Sequence, residues 1–279
     1  MKESVVDIHD LQEAVPFFKS RFGSFLGKVL IKWLSIDKVN KAHAHNCHLR
    51  GAKFTTALLN DPLIDIKYDL HNAEVLDHLP EGAFATVSNH PIGSIDGIML
   101  IDIFASRRPD FKVMVNGVLT KIGAMGDNFV SVKPDSNNQG ANLKNINGVR
   151  ISLQQLKEGH PMGFFPAGGI SMYNKKTKKI QDLPWTHSVI RLIRKAKVPV
   201  YPIYFDFLNS RFFYWLGRLT GVSVRCAYQP RPLTSAGVRS MFISVSLFLQ
   251  KKSKILPTTK TWPSFYINVR TLLKNNKPV

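Results

Sequence analysis

Short apolar runs alternating with stretches of helical character constrain this chain more than any other feature. Residues 83–88, 112–115, 129–132, 164–165 and 198–205 are brief, apolar and partly β-branched or aromatic, which suits buried strands. Residues 145–157 and 185–197 fall between them and predict helices. Strand and helix in alternation argue for an α/β fold: a mixed, largely parallel sheet flanked by helices. No fixed-period repeat interrupts the pattern. No phosphate-binding P-loop, G-x-G-x-x-G or G-x-S-x-G sequence occurs, which argues against kinases, dinucleotide enzymes and serine hydrolases.

The first of these runs carries chemistry at its end. It leads into Asn89-His90-Pro91-Ile92-Gly93-Ser94-Ile95-Asp96-Gly97, where Pro91 and Gly93 stop a strand. In open α/β sheets ligands bind outside the carboxyl ends of the strands, so His90 is delivered to the edge where catalysis is expected. Histidine exchanges a proton near neutral pH, and a carboxylate on its far ring nitrogen orients it and stabilises the imidazolium; Asp96 suits that role. The same residues also suit a blander arrangement, His90 in a polar turn and Asp96 as the N-cap of a helix through Gly97, Ile98 and Met99.

The segment resembles the first signature block of the phospholipid/glycerol acyltransferase family, N-H-x4-D, and most closely its hemolysin-like branch with N-H-P-x-G-x-x-D-G. Asn89, His90, Pro91, Gly93, Asp96 and Gly97 match that branch, including its five residues between His and Asp. Residues 162–171 are similar to the third block, F-P-E-G-T-R-S, with Phe165, Pro166, Gly168 and Ser171 kept. Residues 198–203 resemble the fourth block, V-P-V-x-P, and residues 128–133 stand at the second, ending in Lys133. Asp182, Trp185, Asn209 and Ser210 also resemble positions of the branch, Trp185 reading as a packing residue. The resemblance spans about residues 60–230. It implies His90 as general base, Asp96 as its orienting partner, and substrate contacts from Asn89, Gly93, Lys133, Phe165, Pro166, Gly168, Gly169 and Ser171.

Departures within the third block bear on the acceptor. Members that acylate lysophosphatidic acid commonly have Glu, Thr and Arg where this chain has Ala167, Gly169 and Ile170. An Arg offers a permanently charged fork for phosphate, and Ile does not. The cations left in that region are Lys133 and Lys175, and neither is singled out. Gly168 and Gly169 after a strand suit either a backbone N–H nest for an oxyanion or phosphate, or a plain glycine turn.

The first sixty residues read differently from the rest. Phe18, Phe22, Phe25, Leu26, Val29, Leu30 and Trp33 recur at helical spacing, and Lys19, Arg21, Lys28 and Lys32 fall mostly off that stripe. A basic amphipathic helix rich in aromatics suits either a membrane interface or a face packed on its own domain. Residues 1–60 are therefore expected to form an N-terminal amphipathic helical region and 61–279 the acyltransferase α/β domain. The 38 Lys and Arg against 19 Asp and Glu leave a net charge of +19, which favours anionic partners. The apolar stretch 241–249 falls well short of the roughly 20 residues that cross a bilayer. Two cysteines, Cys47 and Cys226, and an N-terminus without an apolar signal core suggest a cytoplasmic protein lying on the membrane face. His43, His45, Cys47 and His48 cluster in sequence, but their spacing favours a polar helix surface over a metal site.

The expected activity is transfer of a fatty acyl group from an acyl carrier protein or coenzyme A thioester to a hydroxyl of a lyso-lipid or acylated amino acid lipid. No cofactor, metal or nucleic acid is expected. The alternatives are a 1-acylglycerol-3-phosphate acyltransferase and a non-catalytic basic protein binding membranes or nucleic acid.

Overall fold

The computed structural model describes residues 16–33, 36–116, 122–132, 139–209 and 241–247, with Val5, His9, Gln12 and Tyr214. Lys133, Ser210 and Cys226 lie outside the described residues. A short 3-10 turn at Pro16–Lys19 precedes α1 (Arg21–Trp33), whose first turn is capped by Ser20, its Oγ accepting the Gly23 N–H at 3.0 Å. Helices α2 (Ile36–Asn46) and α3 (Gly51–Asn60) follow.

Seven strands form the main sheet: β1 (Ile66–His71), β2 (Ala85–Ser88), β3 (Lys112–Asn116), β4 (Phe129–Val132), β5 (Met162–Phe164), β8 (Val200–Asp206) and β9 (Met241–Leu247). The spatial order is β1-β9-β8-β2-β5-β3-β4. From β8 to β4 the five strands are parallel. β9 runs antiparallel to β8 and parallel to β1, so the β8–β9 pairing gives the sheet its mixed character. These five parallel strands correspond to the five apolar runs. β1 alternates buried and exposed positions, as an edge strand does, and lacks a continuous apolar run to announce it. The stretch at 241–249, expected only to be too short for a bilayer, supplies β9.

Period-two alternation divides the core between the two faces. Phe84, Tyr201, Ile203 and Phe205 face one way and pack with Phe54 and Leu58 of α3 and Met99, Leu100 and Ile103 of α4 (Ser94–Ala105). Ala85, Val87, Met162, Phe164, Val200 and Tyr204 face the other way, against Leu156 of α5 (Gln139–Lys157) and Leu192 and Ile193 of α6 (His187–Ala196). At the amino ends of the strands Arg108 forms a two-pronged pair with Asp110, at 3.0 and 2.8 Å, and donates to the carbonyls of Pro80, Gly82 and Gly159. Burial works to raise the Asp110 carboxyl, but the bonds from Arg108 and His160 outweigh it and hold the group below its ordinary range. That clamp leaves the opposite, carboxyl edge free for a site.

Chain direction reverses at that edge. From β2 the chain crosses through α4 to β3, and from β5 it returns through α6 to β8 on the other side of β2. A crevice at such a switch point is where open α/β sheets place their ligands. Between β5 and α6 the chain also makes a small hairpin, β6 (Met172–Asn174) and β7 (Lys179–Gln181), paired only with each other.

Candidate active site

The carboxyl ends of β2, β5 and β8 meet around His90. Asn89, just past β2, accepts the Phe205 N–H at 2.8 Å and donates to the Phe205 carbonyl at 2.9 Å. Its amide thus extends the β2–β8 ladder by one rung, so Asn89 holds the strand end below His90.

His90 Nδ1 lies 2.9 Å from Asp96 Oδ2, so the five-residue interval does bring the pair together. The interval turns at Gly93, whose φ of 110° is a conformation L side chains rarely adopt. Gly93 is the N-cap of α4, and Asp96, three residues on and fully buried, reaches back. Asp96 Oδ2 also accepts the N–H groups of Ile92 at 3.0 Å and Gly93 at 3.1 Å. The orienting and helix-capping roles are therefore one arrangement, with Gly93 in the N-cap position that the sequence had offered to Asp96. An ionised carboxylate only accepts, so the His90 proton sits on Nδ1 and the Nε2 lone pair is left to take a proton. The His90 side chain keeps 18% exposure, while Asp96 keeps none.

Phe165, the first residue past β5, lays its ring on the imidazole with centroids 4.3 Å apart and planes 31° from parallel. It holds the plane of the ring and shields one face from water. The Pro166 carbonyl accepts from Thr186 N–H and Thr186 Oγ1, tying the turn to the start of α6. Gly168, at φ 66°, donates its N–H to the Phe165 carbonyl. The pair of glycines is thus not a two-donor nest: Gly168 closes the turn, and of the two only Gly169 has an N–H without a partner among the described residues.

Ser171 braces the two blocks. Its N–H donates to the His90 carbonyl at 2.8 Å, and its Oγ donates to Asp182 Oδ1. Asp182 Oδ1 also accepts the His90 N–H at 3.2 Å, across 92 positions of sequence. Asp182 Oδ2 is buried without a hydrogen-bond partner among the described residues. Burial pushes the Asp182 carboxyl above its ordinary range and nearby Asp96 adds to this, against the Ser171 and His90 bonds that favour the charged form. Ser171 is therefore a strut with its hydroxyl engaged. Asp182 was visible in the sequence only as a matching position; a residue so distant along the chain carries no local signature.

Ile170 and Ala167 are both buried. Ile170 packs against Gly93, where an added Cβ would stand 3.0 Å from its Cδ1, and against Tyr214, with Met172, Tyr173 and Ile180 around them. Asn209 fastens this region to the first block, donating to the Pro91 carbonyl at 2.6 Å and its own N–H to the Tyr214 hydroxyl. Trp185 is buried in the core between β5 and α6.

Elsewhere, His43 packs on Phe54, His45 pairs with Asp61, and Cys47 Sγ meets the Ala44 carbonyl. No group of three metal-ligating side chains converges among the described residues. The apolar face of α1 is largely uncovered: Phe22 is 67% exposed, Phe25 64% and Val29 48%. No helix among the described residues is long and apolar enough to cross a membrane.

A histidine oriented by a buried carboxylate at the carboxyl edge of parallel strands is an arrangement suited to proton transfer during group transfer. The chain belongs to the acyltransferase family, whose model matches residues 15–230, and is an enzyme that transfers acyl groups. A lyso-glycine lipid O-acyltransferase of Bacteroides thetaiotaomicron is 28% identical over 197 residues, covering 70% of this chain and 68% of that protein. One of the same description from Phocaeicola vulgatus is 26% identical over 171 residues, 61% of this chain and 57% of its own length. Among solved structures, the 1-acyl-sn-glycerophosphate (LPA) acyltransferase PlsC of Thermotoga maritima aligns with a TM-score of 0.45 and 14% identity, over 90% of this chain and 88% of that one.

Proposed function

We propose that this protein transfers a fatty acyl group from an acyl thioester to the hydroxyl of a lyso-lipid in membrane lipid biosynthesis, with a lyso-glycine lipid as acceptor. The observation that carries the chemistry is the His90–Asp96 pair, whose hydrogen-bond pattern leaves Nε2 as the base. As the acceptor oxygen attacks the thioester carbonyl, Nε2 takes the hydroxyl proton, and Asp96 stabilises the resulting imidazolium. The new C–O bond forms, the tetrahedral intermediate collapses with loss of the C–S bond, and the leaving sulfur recovers the proton from His90. The Gly169 N–H, which has no partner among the described residues, is a candidate backbone donor to the developing oxyanion. Transfer is direct: the thioester is already activated, and the Ser171 hydroxyl is committed to Asp182.

The acceptor follows from Ile170. Where members acting on lysophosphatidic acid commonly place Arg, this chain packs an apolar side chain into an apolar cluster beside Gly93. The names of the two relatives point the same way. The uncovered aromatic face of α1 supports a peripheral position on the cytoplasmic face of the membrane, where acyl carrier protein or coenzyme A presents the donor. Family membership sets aside the non-catalytic alternative.

The test follows thiol release from an acyl thioester by the purified protein, with lyso-glycine lipid or lysophosphatidic acid as acceptor. Loss of the general base in His90→Ala is expected to slow turnover by about 100-fold or more. Equal rates in the two proteins refute His90 as base, and a clear preference for lysophosphatidic acid refutes the acceptor.

A further inference from the structure

The β6–β7 hairpin leaves the body of the protein at Ser171 and returns at Asp182, the two residues that brace the His90 backbone. Its feet are therefore fixed to the catalytic histidine. Its tip is built from Asn174-Lys175-Lys176-Thr177-Lys178-Lys179. The Asn174 side-chain oxygen accepts the N–H groups of Lys176 at 2.9 Å and Thr177 at 3.2 Å, and Thr177 Oγ1 donates to Gln181 Oε1. The turn is thus well defined, and all four lysines are exposed. Among the described residues none of the four pairs with a carboxylate. Four positive charges concentrated on one exposed turn, with no carboxylate partner among the described residues, favour an external one.

We propose that this hairpin is the docking surface for an acidic acyl carrier protein, which presents the acyl thioester to His90. The inference rests on the thioester-donor reading above and names its source. Lysines are compact charges on flexible stems, suited to a broad acidic surface. A free nucleotide thioester asks for a base-stacking side chain and an enclosed phosphate site, and the tip has no aromatic residue between 174 and 179. A lipid surface asks for apolar side chains that enter it, and the tip has none, in contrast to α1. Distance also fits. Lys175 is four residues from Ser171, at most about 13 Å along an extended chain. A carrier protein bears its acyl group at the end of a long flexible arm, so it docks away from the chemistry and still delivers the carbonyl.

The experiment compares wild type with K176E/K178E/K179E on two donors, acyl carrier protein and coenzyme A thioesters of the same chain length, using detergent-dispersed acceptor. The expected result is a fall of about tenfold or more in kcat/KM for the carrier-bound donor at low salt, because removing peripheral charges slows encounter. Saturating kcat and use of the coenzyme A thioester stay as in wild type. Added salt lowers the wild-type rate on the carrier donor and leaves the variant nearly flat. A thermal unfolding curve matching wild type shows that the variant is folded, and direct binding of the acidic carrier to wild type, lost in the variant, gives a readout independent of turnover. Unchanged kcat/KM on the carrier donor, an equal loss on both donors, or loss only of binding to anionic vesicles each overturns the proposal. Wild type that consumes neither thioester refutes the donor reading itself, whereas wild type and variant that are equally active refute the hairpin alone.

Discussion

Replacing Asp96 by Asn separates chemistry from folding at this site, because one oxygen serves both. Asp96 Oδ2 accepts three donors: His90 Nδ1 and the N–H groups of Ile92 and Gly93. An Asn with its carbonyl oxygen in that place keeps all three acceptor contacts and loses the charge. The imidazolium that forms when His90 takes a proton then faces a neutral amide, and the unbound amide nitrogen competes for the ring and its tautomer. Asp-to-Asn changes behind a catalytic histidine cost up to about 10⁴ in kcat. For Asp96→Asn a loss of about 10² to 10⁴ is expected; the backbone donors stay paired, and the amide NH2, placed where Oδ1 is buried without a partner among the described residues, costs about 1–3 kcal/mol of stability. Asp96→Ala behaves differently. It strands the Ile92 and Gly93 N–H groups, both in buried residues, and each unpaired donor costs about 1–3 kcal/mol, so about 2–6 kcal/mol of stability is lost along with activity. The assay pairs thiol release with thermal unfolding on the same preparations. Asp96→Asn retaining a rate within threefold of wild type would falsify the assignment of Asp96 as the orienting carboxylate. A large loss of stability in the Asn variant would show that its carbonyl does not occupy the Oδ2 position.

Asp182→Asn keeps an acceptor for the Ser171 hydroxyl and His90 N–H, whereas Asp182→Ala leaves both donors without it and is expected to lose about 1–3 kcal/mol for each. Because the folded protein holds the Asp182 proton more tightly than the unfolded chain, this residue's contribution is full at pH values below the ordinary carboxylate range and declines as pH rises through the elevated folded value. Unfolding curves from pH 4 to 8 should therefore show Asp182→Asn gaining on wild type as pH rises, and parallel curves would contradict this. On α1, Phe22, Phe25 and Val29 are all exposed, so burying them at an interface contributes about 1–2 kcal/mol each. Changing all three to Ser should weaken sedimentation with anionic vesicles by about 100-fold or more while leaving unfolding in detergent-free buffer near wild type; undiminished sedimentation would exclude α1 as the contact.

What the sequence made legible follows from how local each feature is. β2, β3, β5 and β8 lie inside the sheet, and β4 at its edge is buried at Phe129 and Val130, so their short apolar runs stand out. β1 alternates and the β6–β7 hairpin is short and polar, and neither leaves such a trace. His90 and Asp96 were readable because a strand end and a helix start bring them together within one short turn. The hydrogen-bond commitments were not. Asn89, Gly168 and Ser171 match a pattern whose function lies in substrate handling, but here their polar groups go to Phe205, Phe165, His90 and Asp182. Three of those four partners lie on another strand or beyond another turn, and only packed strands show which groups remain free. Lys133 lies outside the described residues.

The packing of Ile170 has a consequence for substitution. Its side chain fills the space over Gly93 and meets Tyr214, which Asn209 in turn fastens to Pro91. An Arg introduced there would bring a guanidinium into an apolar cluster whose other members offer it no acidic partner, at the back of the turn that positions His90. On the proposed reading, headgroup choice is tied to interior packing, so Ile170→Arg alone is expected to disturb the contacts with Gly93 and Tyr214 instead of simply adding a phosphate site.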